Sequence, residues 1–229
     1  MNSINPLKST LEAGRQFEAV PLFEMKNRNL FLISKRIQDV CFSLLGLLVL
    51  SPLLLLIALL IKAEDPKGAV IFAQTRVGKN GKVFKMYKFR SMVSDAETLL
   101  GKLMDQNEIR GAMFKMRNDP RITRVGRFIR KTSLDELPQL LNVLMGHMSL
   151  VGPRPPLPRE VDDYTSYDMM RLLVVPGCTG LWQISGRNHV GFQEMVELDL
   201  EYIRNQSLMK DIIIMFKTVK VLFGADNAY

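Results

Sequence analysis

From Val40 to Ile61 the sequence is apolar apart from Ser43 and Ser51. The run is about 20 residues long, the length a helix needs to cross a hydrocarbon core. Two features complicate a simple span. Pro52 falls near its middle, where proline removes a backbone hydrogen bond and kinks a helix. Ser51, beside it, could donate to a freed carbonyl and make the bend tolerable in lipid. Both flanks are also basic, with Lys35 and Arg36 before the run and Lys62 and Lys67 after it. The positive-inside tendency puts both ends on the cytoplasmic side. A re-entrant hairpin broken at Ser51-Pro52 and a kinked span both satisfy the pattern. A second candidate for the membrane is Leu208 to Phe223, where Ile212, Ile213, Met215, Phe216 and Val219 interleave with Lys210, Lys217 and Lys220. That pattern suits a basic amphipathic helix, lying in the interface or packed on the protein's own core.

Between these segments the periodicity is that of a soluble domain. Asp65-Pro66-Lys67-Gly68 is a turn signal. Ala69–Gln74 and Val83–Phe89 read as strands joined through Asn80-Gly81, a hairpin. Helices are expected over Asp95 to about Ile109, Arg121–Lys131, Asp135–Met145 (stopped at Gly146) and Val190–Asn205. Val151–Pro158 is too rich in proline for a helix, and Pro176-Gly177 opens a loop. The expected fold class is α/β and helix-rich, with a small β-hairpin and no doubly wound sheet.

Charge changes the picture more than bulk composition does. The 229 residues are 47% hydrophobic, ordinary for a folded protein, but carry a formal net charge of +8. Such a surplus suits phosphates, nucleic acid or an acidic membrane face. Aromatic residues interleaved with the basic ones are few, which argues against nucleic acid. Cys41 and Cys178 have no metal or disulfide spacing. His147 and His189 are the only histidines, so a histidine catalyst or His-rich metal site has little support. The chain contains no phosphate-binding GxGxxG or Walker-type loop and no serine nucleophile elbow. The first thirty or so residues lack the apolar core of a signal peptide.

The candidate chemistry lies in Asp135-Glu136. Adjacent carboxylates at the start of a helix could supply a nucleophile, a metal ligand or an acid/base pair. They could equally be caps: Ser133-Leu134-Asp135-Glu136 matches a capping box, and Asp135 as cap would leave Pro138 in the first turn. Basic residues gather at loops. Lys85, Lys88 and Arg90 end the second strand, and Arg187 closes the loop Ser185-Gly186-Arg187-Asn188. Arg154 stands between Pro153 and Pro155, which pre-set it for a fixed anion contact. Arg121, Arg124, Arg127 and Arg130 recur every three residues; a solvated or lipid-facing role suits two of the four. Trp182 could stack on a base or sit in the core.

Taken together, several motifs resemble one family. They are Lys88-Phe89-Arg90-Ser91-Met92, Asp119-Pro120-Arg121-Ile122-Thr123-Arg124-Val125-Gly126, Ser133 to Gln139, Met148 to Pro155, Pro176-Gly177-Cys178-Thr179-Gly180 and Ser185 to Asn188. In this order they are similar to the bacterial sugar transferases, the small monotopic polyprenyl-phosphate hexose-1-phosphate transferases, over residues 33 to 223. The resemblance implies an N-terminal tail (1–32), a re-entrant membrane helix (33–64) broken at Ser51-Pro52, and a catalytic domain with interfacial helices (65–229). It implies Asp135 and Glu136 as catalytic and magnesium-binding residues, with Asp135 forming an aspartyl-phosphosugar. Lys88, Arg90, Arg121, Arg154 and Arg187 are expected at substrate phosphates. The implied partners are a nucleotide sugar, such as a UDP-sugar, polyprenyl phosphate and the bilayer, at the cytoplasmic face of a bacterial inner membrane. A homo-oligomer is possible. The rivals are a nucleotide-sugar phosphohydrolase and a non-catalytic membrane scaffold.

Overall fold

A computed structural model describes residues 29–103, 116, 119–185 and 190–223. The N-terminal tail to residue 28 lies outside them. Helix α1 (Asn29–Glu64) has 36 residues and contains Pro52. The break expected at Ser51-Pro52 is not an interruption, because the helix runs through it. Pro52 has no amide to offer the carbonyl of Leu48, four residues back. The Ser51 hydroxyl donates to that oxygen instead, at 2.8 Å. Mean hydropathy reaches 3.0 over its most apolar window, only 11% of which is buried.

Both ends of α1 lie on the same soluble body, while its middle is bare. Lys35, Asp39 and Ser43 are buried at a spacing of four, one helical face. Towards the other end Ile57 and Ile61 are buried with Phe89 and Ile129. Between them Leu44, Leu45, Leu48, Val49, Leu55 and Leu56 are all exposed.

The body starts with β1 (Ile71–Val77) paired antiparallel to β2 (Val83–Phe89), as the hairpin pattern predicts. Asn80 and Gly81 make the turn with positive φ of 55° and 75°, the conformation for which Asn-Gly is suited. Helix α2 (Ala96–Leu103) follows; the rest of the helix expected to Ile109 lies outside the described residues. Then come α3 (Arg124–Lys131), a single 3-10 turn (Leu134–Glu136), α4 (Gln139–Leu144), β3 (Ser149–Val151) and α5 (Pro158–Asp162). A second 3-10 segment (Asp168–Leu173) leads to β4 (Gly177–Thr179), α6 (Leu181–Ile184), α7 (Phe192–Arg204) and α8 (Leu208–Phe223).

Strand β4, expected to be loop, pairs in parallel with β3. A three-residue strand is too short to show a period of two. The pairing is dense: a Cβ on Gly177 would lie 2.0 Å from the Gly152 amide nitrogen. The main core joins Met86, Val143, Met148 and Val151 to Val196, Leu200, Tyr202 and Ile203 of α7 and Ile214 of α8. The amphipathic helix packs one face on the protein's own core and leaves the other uncovered. On α8, Asp211 and Ile214 are buried, whereas Met209, Ile213, Phe216 and Val219 are exposed.

Polar bonds lock α1 in place. Lys35 donates to the Asp211 carboxylate and to the Val151 carbonyl. Asp39 accepts from the Leu150 amide at 3.0 Å. Arg36 donates to the Val143 and Leu144 carbonyls at the end of α4, where a cation suits the helix dipole. At the far end Glu64 accepts from the Arg124 and Val125 amides, at 2.7 and 3.0 Å. It thereby serves the free donors that open α3.

Candidate active site

Helix α3 ends at Thr132, and Ser133 turns the chain with φ 54°, a left-handed conformation rare outside glycine. The acids follow directly, in the 3-10 turn. The capping reading does not hold: Ser133 makes no side-chain cap bond, and Pro138 itself occupies the N-cap of α4. Both carboxylates are therefore left for other work. Glu136 meets the Lys88 ammonium at 2.6 Å. Among the described residues the Asp135 carboxylate makes no hydrogen bond to another side chain; only its own amide donates to it. Burial pushes the Asp135 carboxyl up to about 6, opposed by Lys88 and Arg130 and reinforced by Glu136. A carboxylate in this state is poorly hydrated, close to two cations, and charged at neutral pH, which are the properties of a nucleophile or metal ligand.

Beside Glu136 lies a shallow, half-open cleft. Lys88 and Met86 enter it from β2, Glu136 and Gln139 from the acidic turn and α4, and Arg154 and Pro155 from the proline-rich turn. Gly177, Cys178 and Gln183 line it from β4 and α6, and Arg76 from β1. The wall is cross-braced. Buried Asn142 on α4 grips β2 through its amide, donating to the Lys85 carbonyl and accepting from the Tyr87 amide at 2.7 and 2.9 Å. It thereby fixes Lys88, one residue further on. The proline-rich turn is tied to β1 by the Val77 amide on the Pro156 carbonyl at 3.0 Å. The Arg154 guanidinium lies 6.0 Å from the centre of the Trp182 ring, so the tryptophan seats that arginine.

Of the residues expected at substrate phosphates, Lys88 and Arg154 line the cleft with Glu136. Arg90 and Arg121 are elsewhere. Arg90 pairs with Asp65 at 2.9 Å and donates to its carbonyl, closing the connection from α1 to β1. Arg121 is held by both oxygens of Asp119, and that bond keeps Asp119 below the usual carboxylate range. In each case the guanidinium is already paired with a carboxylate. Arg187 lies outside the described residues, as does His189. Within the arginine series Arg124 and Arg127 are exposed, as expected for two of the four. Arg130 instead points its charge at Asp135 and donates to Ser91 at 2.7 Å. Arg76 and Asn142 escaped the sequence reading. Each sits inside a regular element, without the glycines and prolines that flagged the loops.

Comparison with known proteins agrees with this geometry. The sequence profile of the bacterial sugar transferase family matches residues 30–225. The galactosyl transferase CpsE of Streptococcus agalactiae is 49% identical over 198 residues, 86% of this chain and 44% of that one. The undecaprenyl-phosphate galactose phosphotransferase of Salmonella typhimurium is 49% identical over 199 residues, 85% of this chain and 41% of that one. The chain thus spans less than half the length of these two relatives. The exopolysaccharide production protein ExoY of Rhizobium meliloti is 44% identical over 201 residues, 86% of this chain and 88% of that one. The motifs, the acidic turn and the match over nearly all the described chain converge: this protein belongs to the bacterial sugar transferase family.

Proposed function

We propose that the chain transfers a sugar-1-phosphate from a nucleotide sugar to undecaprenyl phosphate, the first step of a bacterial surface glycan. The observation that carries this reading is the uncapped, half-buried Asp135 beside a cleft furnished with Lys88, Glu136 and Arg154. The relatives named for undecaprenyl-phosphate galactose transfer and for glucose-1-phosphate transfer support it.

In the first step an Asp135 oxygen attacks the phosphorus that bears the sugar. The bond from that phosphorus to the bridging oxygen breaks, and the nucleoside monophosphate leaves with the electron pair. An aspartyl-phosphosugar remains, with the sugar–oxygen bond intact. In the second step an oxygen of polyprenyl phosphate attacks the same phosphorus and returns the carboxylate. Lys88 and Arg154 neutralise phosphate charge that would otherwise repel the nucleophile. Arg130 and Lys88 keep Asp135 ionised against the burial that favours its acid form. The hard carboxylate oxygens of Asp135 and Glu136 are of the type that magnesium takes, with the remaining positions left to phosphate oxygens and water. Bound there, magnesium would supply further charge neutralisation at the phosphates.

The placement is monotopic. Helix α1 is about 54 Å long at the usual rise per residue, yet both its ends are bonded to one body. A body that holds both ends suits one side of the membrane, with the bare leucines around Leu48 dipping into lipid and returning. Basic flanks assign that side to the cytoplasm. Cysteines introduced near residues 30 and 70 should both label from the cytoplasmic side. Labelling from opposite sides would defeat the re-entrant reading.

The test of function is purified protein with a panel of UDP-sugars and undecaprenyl phosphate. Release of nucleoside monophosphate should require the lipid phosphate beyond about one turnover per site. Sustained release without acceptor would make the chain a hydrolase, and no release with any sugar would leave it a scaffold.

A further inference from the structure

Arg76 has a surrounding unlike that of the other buried arginines. It is 4% exposed and lines the cleft. Its Nη1 donates to the Pro155 carbonyl at 2.9 Å, and its Nε and Nη2 donate to Gln74 Oε1 at 3.1 and 2.8 Å. These acceptors are neutral. A guanidinium has five N–H groups, so one on each Nη is still free to donate. Buried Arg171 and Arg121 each have a carboxylate, Asp199 and Asp119 respectively. Neither lines the cleft. Among the described residues Arg76 forms no ion pair.

A desolvated cation without a counter-charge is costly. Burial, with the Arg154 guanidinium adding to it, brings Arg76 down to about 10, and Glu160 and Glu136 offset this only in part. Two guanidiniums in one cleft, neither in an ion pair among the described residues and one of them buried, make a site that an anion completes. We propose that Arg76 is a second phosphate-binding arginine, acting with Arg154 to hold the diphosphate of the nucleotide donor. This rests on the reading of the chain as a nucleotide-sugar enzyme. The bond to Pro155 gives the contact a second consequence. Arg154 is the neighbour of Pro155, so an anion that fixes the Arg76 fork also fixes the turn that carries Arg154.

The test uses full-length protein in nanodiscs, with Arg76→Gln and Arg76→Lys. In a two-step transfer, kcat/KM for each substrate reports its own half of the reaction. Arg76→Gln should lower kcat/KM for the nucleotide sugar by about 10- to 100-fold, the effect of one or two lost charged hydrogen bonds. It should leave kcat/KM for polyprenyl phosphate within about twofold of wild type. It should also lose most of the rise in Tm that inorganic pyrophosphate gives the wild type, while Arg76→Lys keeps part of it. If Arg76→Gln does not fold, Arg76→Lys is read alone, and an undiminished pyrophosphate effect there overturns the proposal. A lower Tm without ligand, with an unchanged pyrophosphate effect, would make Arg76 only a brace for Pro155. A loss confined to polyprenyl phosphate would place the acceptor's phosphate at Arg76 and overturn the donor assignment. Wild-type protein that turns over no nucleotide sugar would remove the functional reading itself, and this inference with it.

Discussion

Replacing Asp135 by Asn should make the protein more stable and nearly inactive. The carboxyl has its pKa at about 6 in the folded chain against an ordinary value of 3.8. Between those values the native state binds more protons than the unfolded state, so stability falls as pH rises through the window. The full cost is present above about pH 6 and absent below about pH 4. Each pKa step is worth about 1.4 kcal/mol; because the residue is only half-buried, the cost at pH 7.5 is about 2–3 kcal/mol. Asn is uncharged and nearly the same shape, and the structure assigns Asp135 no cap to lose. Asp135→Asn should therefore gain about 2–3 kcal/mol at pH 7.5, or roughly 5–10 °C in Tm for a chain of this size. At pH 4 the gain should vanish.

Turnover should fall by at least about 10³-fold, because the attacking group is gone. Differential scanning fluorimetry at the two pH values reads the first effect, and release of nucleoside monophosphate reads the second. Intact-protein mass spectrometry should show a phosphosugar adduct on wild type without acceptor, and none on the variant. An Asp135→Asn protein with ordinary turnover, or with a Tm lowered equally at both pH values, would refute the reasoning.

Three further outcomes are expected. Arg154→Lys keeps a charge but loses the fork and the contact with the Trp182 ring, so activity should fall at least about tenfold; a near-normal lysine enzyme would count against a bidentate contact. The kcat/KM for the nucleotide sugar should rise with pH on the acid side, bend near 6 as Asp135 ionises, and level off above it; a flat profile from pH 5 to 7.5 would exclude Asp135 as the titrating nucleophile. The double change Ser51→Ala, Pro52→Ala restores the amide to the Leu48 carbonyl and removes the cause of bending, so cysteine labelling at residues 30 and 70 should find some molecules with their ends on opposite sides. Wild-type labelling in that double variant would assign the topology to the polar bonds at the ends of α1 alone.

What was legible in the sequence followed signal length. Helices α7 and α8 and the β1–β2 hairpin were visible because their patterns run for seven residues or more. The β3–β4 pair was hidden, since its pairing is set by backbone approach at Gly152 and Gly177 rather than by side-chain alternation. Of the candidates that motifs flag, Lys88, Glu136 and Arg154 come together around one cleft, with Asp135 adjacent in sequence to Glu136. The sequence could not show that Arg90 and Arg121 are held by Asp65 and Asp119, because an arginine looks the same with or without a partner. Nor could it separate capping from chemistry at Asp135. The capping reading fails at Ser133, whose left-handed backbone takes the acids out of the cap geometry.

The two ends of α1 hold different halves of the active site. At one end Lys35 bonds to Val151 and Asp211, Tyr202 bonds to the same two residues, and Asp39 bonds to Leu150. All of these bonds meet on β3 and α8, and β3 runs directly into Gly152-Pro153-Arg154. At the other end Glu64 bonds to the first amides of α3, and α3 runs through Ser133 into Asp135. Helix α1 is thus a strut between the turn that carries Arg154 and the turn that carries Asp135. Buried ion pairs seldom add much net stability, yet breaking one is costly. The Lys35–Asp211 pair is therefore better suited to holding register than to raising stability. On the proposed monotopic placement, lipid around the bare leucines near Leu48 would act on the same strut, and depth of insertion would couple to the distance between the two turns.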